Sequence, residues 1–104
     1  MEDKLLKDLF LGFIKVHILH HAAKERIYGQ EFSEELQRHG YQISYGTLYP
    51  LFHKLEENGY LQSESENVKG KVRRYYTITK SGKKILEKAK LQAKELVEEL
   101  YEEW

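Results

Sequence analysis

The sequence has no cysteine, a single proline, Pro50, and a single tryptophan, Trp104, in 104 residues. Without cysteine there is no disulfide, no thiolate metal ligand and no cysteine nucleophile. No apolar run reaches the roughly 20 residues that a membrane-spanning helix needs. The N-terminus lacks the basic, then apolar, then small-residue order of a secretory signal. These absences lead to the expectation of a soluble, cytoplasmic protein with no membrane partner. Net charge is also lacking, since 17 basic side chains balance 17 acidic ones. At this length a single domain is expected, with a core modest enough for self-association to help.

What is present is concentrated between Ser44 and Leu61. Leu48, Leu51, Phe52 and Leu55 recur at helical spacing and define a buried face. Ser44 is placed to cap, because its hydroxyl can accept from a free first-turn amide. Asn58-Gly59 is a stop signal. The opposite face of the first turn and a half carries Tyr45, Gly46, Thr47 and Tyr49: hydroxyls around a bare backbone position. The positive end of a helix dipole attracts phosphate, and helix-turn-helix proteins read DNA with the start of their second helix. Pro50 conflicts with this. Either the helix runs from Ser44 and is loosened near Gly46, or it begins nearer Leu48 with Pro50 in its first turn. The residues themselves favour the later start.

Beyond Gly59 the pattern changes to strands. Residues from Tyr60 to Glu66 and from Val72 to Ile78 flank a basic turn, Asn67-Val68-Lys69-Gly70-Lys71. Alternation puts Tyr76 and Ile78 on one face and Arg73 and Tyr75 on the other. A hairpin with a cationic tip after a candidate reading helix is a wing.

The runs Tyr28-Gly29, Gly46-Thr47-Leu48-Tyr49-Pro50-Leu51, Leu55-Glu56-Glu57-Asn58-Gly59 and Arg74-Tyr75-Tyr76-Thr77-Ile78-Thr79-Lys80-Ser81-Gly82 resemble the PadR family of bacterial transcriptional regulators. The resemblance covers nearly the whole chain. It implies a mainly α fold with a small β-hairpin: a winged helix-turn-helix followed by a long C-terminal dimerisation helix. Residues 1–79 would form the DNA-binding part and 80–104 the dimerisation helix, as one compact unit. It also implies repression relieved by a small molecule or stress, and it favours the longer helix from Ser44. With a single helix after the wing, the chain resembles the compact members. Family members often bind planar aromatic compounds at the dimer interface, and the terminal position of Trp104 departs from that arrangement.

On this reading the partner is a pseudo-palindromic operator in duplex DNA. Tyr45, Gly46, Thr47 and Tyr49 would touch backbone and base edges, with Ser44 anchoring the turn. Lys69, Lys71, Arg73 and Arg74 would meet phosphates or the adjacent minor groove, and Tyr28 and Gly29 would add a contact through backbone amides. Zero net charge is no obstacle, because it averages two opposed blocks. Between Lys69 and Lys90 nine bases face one acid, Glu87; from Glu95 onward there are five acids and no base. Charges more than about 10 Å apart are largely screened at moderate salt.

The C-terminal segment opens at Thr79, a candidate cap. Leu86, Ala89, Ala93, Leu96 and Leu100 alternate by three and four residues, which is a coiled-coil seam calling for a second subunit. Its acidic end opposes the helix dipole and could pair with Lys4, Lys7 or Lys15 of that subunit, or simply keep the terminus solvated.

Other features carry less. His17, His20 and His21 lack a nearby acid or cysteine to complete a metal site, and His17 lies on an apolar stripe of the first helix, Lys4 to Lys24. Neighbouring acids such as Glu56 and Glu57 do not face each other on a helix. The serines lack a base at recognisable spacing, and the glycines form no phosphate-binding loop. No enzyme, metal or cofactor is expected. The competing class is a winged-helix protein-interaction module, for which the apolar first helix and acidic tail would serve.

Overall fold

The computed structural model describes residues 3–102, so Glu103 and Trp104, the end of the acidic tail, lie outside the described residues. The chain runs α1 (Lys4–Lys24), β1 (Ile27–Tyr28), α2 (Gly29–Arg38), α3 (Tyr45–Glu57), β2 (Leu61–Val68), β3 (Lys71–Ile78) and α4 (Lys80–Leu100).

Capping chemistry sets several of these bounds. The Asp3 carboxylate accepts from the amides of Leu5 and Leu6 and starts α1. Ser44 accepts from the Thr47 amide at 3.3 Å and starts α3. Thr79 accepts from Gly82 at 2.9 Å and donates to the Gly59 carbonyl at 2.6 Å, which ties the start of α4 to the end of α3.

The longer α3 is the one that forms, with Pro50 inside it. Proline in a helix interior costs about 3 kcal/mol. Burying a large apolar side chain returns about 1.5–3 kcal/mol, and Leu48, Phe52 and Leu55 are all buried on this helix. Packing outweighs the local defect.

The core gathers Ile14, Ile18 and Leu19 of α1, Phe32 and Leu36 of α2, the buried face of α3, and one face of the sheet. Ser33 donates to the Ile43 carbonyl at 3.0 Å, which fixes α2 to the linker ahead of α3. The sheet is antiparallel and three-stranded, in the order β1-β3-β2. The hairpin is therefore joined by a third strand, β1, where the sequence pattern shows only the opening of α2. Ile27 pairs with Tyr76 and Leu61 with Ile78, so these four share the inner face. The Tyr76 ring lies 4.6 Å from that of Phe52. Lys69 and Gly70 form the turn, with φ of 51° and 82°, as a tight two-residue hairpin requires.

α1 and α4 are only partly covered. Leu5, Leu6, Leu9 and Phe13 of α1 are exposed. On α4, Leu86 joins the core and Ala89 is half-buried, while every residue from Leu91 to Leu100 is exposed. No helix among the described residues is long and apolar enough to cross a membrane.

Candidate nucleic-acid interface

Two elements present their polar groups to one side: the start of α3 and the wing. On α3, Ser44, Tyr45, Gly46, Thr47 and Tyr49 are all exposed. Tyr45 and Tyr49 meet edge-on with ring centroids 6.2 Å apart, and Tyr49 stacks on His53 at 6.3 Å and 10°. The outward stripe is thus one turn longer than the sequence reading had it. His53, one helical turn beyond Tyr49, was findable by its i, i+4 spacing. A Cβ placed on Gly46 would meet only the Ser44 hydroxyl, at 3.7 Å. No packing within the fold requires glycine there, although glycine in a helix costs about 0.5–1 kcal/mol relative to alanine. The bare position faces outward.

Between the wing and the starts of α2 and α3 lies a cleft of about 400 Å³, bordered by Tyr28, Gly29, Tyr45, Lys71, Arg73 and Arg74. Six of the expected site residues meet there. Gly29 is buried beneath the Tyr45 ring, and a Cβ at that position would collide with it. The open residue of that turn is Gln30, which the sequence reading did not single out. Ser44, Gly46, Thr47 and Tyr49 lie along α3 outside the cleft, and Lys69 sits on the wing turn.

The outer face of the sheet carries a continuous stack. Arg26 lies 3.9 Å over the Tyr75 ring, Tyr75 meets Tyr28 edge-on at 5.3 Å, and Arg73 lies 4.6 Å over Tyr28. Cation–π contact of this kind is worth roughly 0.5–1 kcal/mol where exposed. The wing is not purely cationic, because β2 contributes Glu64 and Glu66 opposite Tyr75 and Arg73. Arg26 takes Glu66 in an ion pair at 2.5 Å. Among the described residues, none of Lys69, Lys71, Arg73 and Arg74 is ion-paired to a carboxylate. On the inner face, burial first and then the Glu56 carboxylate push the Tyr76 phenol up to about 12, so it stays protonated beneath α3.

Away from this side, α1 and α4 enclose an apolar groove of about 640 Å³, bordered by Leu9, Phe13, His17, Leu86, Ala93 and Leu96. His17 is half-buried, and its Nε2 lies 3.2 Å from the Tyr41 hydroxyl.

A helix-turn-helix with an exposed second-helix start, followed by a hairpin whose cations are not paired to carboxylates, defines a winged-helix DNA-binding protein. Residues 18–88 match the Transcriptional regulator PadR-like family, and the chain belongs to that family. It is a transcriptional regulator and not an enzyme. The chain is 44% identical over 87 residues to Transcriptional regulator Rv3488 of Mycobacterium tuberculosis, covering 84% of this chain and 81% of that one. Among solved structures it resembles a PadR family regulator from Eggerthella lenta, with TM-score 0.82 and 32% identity over 92% of this chain and 85% of that one. A PadR-like transcription factor from Bacteroides fragilis gives TM-score 0.81 and 28% identity, over 94% and 96% of the two chains.

Proposed function

We propose that this chain is a dimeric, sequence-specific repressor that reads a pseudo-palindromic operator with α3 and grips the flanking backbone with its wing. The observation that carries this reading is the start of α3: an exposed glycine with no packing role, ringed by the hydroxyls of Ser44, Tyr45, Thr47 and Tyr49. A surface without a Cβ allows close approach of another polymer, and hydroxyls can both donate to and accept from base edges and phosphates. Lys69, Lys71, Arg73 and Arg74, none of them held by a carboxylate among the described residues, supply the sequence-independent part of the affinity.

Dimerisation is supported by the apolar surface left open on α1 and α4. Leu5, Leu9 and Phe13 on one helix and Leu96 and Leu100 on the other are each at least 45% exposed, and Leu9, Phe13 and Leu96 border the groove. A second copy laying its own α4 there would cover them. The part of the chain up to Thr79 would then be the reading unit and α4 the dimerisation helix. Repression, and its relief by a small molecule or stress, rest on family membership alone. The test is to select duplexes from a random pool and compare the enriched sequence with scrambled DNA at one salt concentration. Equal affinity for both would overturn sequence-specific reading.

A further inference from the structure

We propose that Arg26 is a positioning residue for DNA binding: it keeps Glu66 from capturing Arg73, and so leaves the Arg73 guanidinium available to a phosphate. The inference rests on the reading above that Arg73 meets the DNA backbone.

Glu66 and Arg73 are direct partners in the β2–β3 register. Opposed residues have Cβ atoms about 4.5–5.5 Å apart and share a face, which is ideal for a cross-strand ion pair. That pair does not form. The Glu66 carboxylate is held by Arg26 at 2.5 Å, while Arg73 lies over the Tyr28 ring at 4.6 Å, on the border of the cleft. Arg26 is kept in place by its own contact with the Tyr75 ring.

Two guanidiniums therefore compete for one carboxylate, and the one outside the wing has it. Arg26 and Glu66 are each 45% exposed, so their ion pair adds little stability in itself. Its effect lies in which arginine stays uncommitted. An Arg73 paired to Glu66 would have to give up that pair before meeting a phosphate, and its contact with DNA would release fewer counterions.

The experiment measures binding of a labelled random-sequence DNA duplex by anisotropy over a range of KCl concentrations. Arg26→Gln should weaken binding several-fold and lower the salt slope by about one unit, the value of one lost phosphate contact. Arg26→Lys, which can still hold Glu66, should keep the wild-type slope. Adding Glu66→Gln to Arg26→Gln should restore slope and affinity. Adding Glu64→Gln removes the same charge opposite Tyr75 and should restore neither. In an Arg73→Ala background, Arg26→Gln should have no further effect. An unchanged slope for Arg26→Gln overturns the proposal, and so does equal rescue by Glu64→Gln, which would leave Arg26 acting through net charge. If Arg73→Ala itself leaves the slope untouched, the phosphate contact assigned to Arg73 is what fails, and the inference falls with it.

Discussion

The Tyr45 ring fills the space that a side chain on Gly29 would need. The first residues of α2 and α3 are thereby locked to each other, which helps fix the angle at which α3 leaves the body of the fold. Gly29→Ala should displace the ring and cost about 1–3 kcal/mol, the usual range for overpacking. Tyr45→Ala in the same chain should recover most of that loss, as read by urea unfolding. If the two changes are additive, the contact is not the reason position 29 is glycine.

Along α3 the variants should separate bulk from hydrogen bonding. At Gly46 a Cβ meets only the Ser44 hydroxyl, at ordinary contact distance, so Gly46→Leu should leave stability nearly intact, yet obstruct docking on DNA. Thr47→Ala and Tyr49→Phe should each cost about 1–3 kcal/mol of operator preference if their hydroxyls reach base edges. The measurement is the ratio of operator to scrambled-DNA affinity at fixed salt, with circular dichroism to check folding. Three unchanged ratios would remove α3 as the reading element and favour a protein-interaction role.

For the open side of α4, Leu96→Asp combined with Leu100→Asp should yield monomers in sedimentation. Both residues are exposed in the single chain, at 49% and 68%, so the fold of each subunit should survive. A double variant that remains dimeric at micromolar concentration would move the interface to another surface.

His17 gives a pH signature. Burial first, then the charges of His20 and His39, hold its pKa below the ordinary 6.5, and burial first, then His20 and His17, does the same for His21. The unfolded chain therefore binds more protons than the folded one in this range, and stability rises with pH. It should be fully present above about pH 6.5 and decline as pH falls through the lower folded values. His17→Gln should flatten part of that decline in urea midpoints measured across pH.

Legibility in the sequence followed range along the chain. Ser44 and Thr79 were readable as caps because their partners lie three residues away. The alternation of Arg73, Tyr75 and Tyr76 was readable for the same reason. β1 was not, since two residues make no pattern and its strand character comes from pairing with Tyr75 and Tyr76, far along the chain. Nor was the Arg26–Glu66 pair, whose members are 40 residues apart. Pro50 misled because local cost is visible in sequence whereas the burial of Phe52 against Tyr76 is not. The seam from Leu86 to Leu100 has one periodicity but two fates, because spacing marks an apolar stripe without saying where the subunit ends.

That division of α4 ties shape to abundance. Its first turns are held by the chain's own core, but every residue from Leu91 to Leu100 is exposed, with Ala93 and Leu96 only bordering the groove beside α1. An isolated helical tail of that length is marginal in water. On the proposed dimerisation through α4, its end is expected to wind and fray with protein concentration while the winged domain stays folded, so that dilution should lower far-ultraviolet ellipticity without disturbing the tyrosine signals of the core. Each molecule would carry, in its last three turns, a reading of how many copies of itself are nearby.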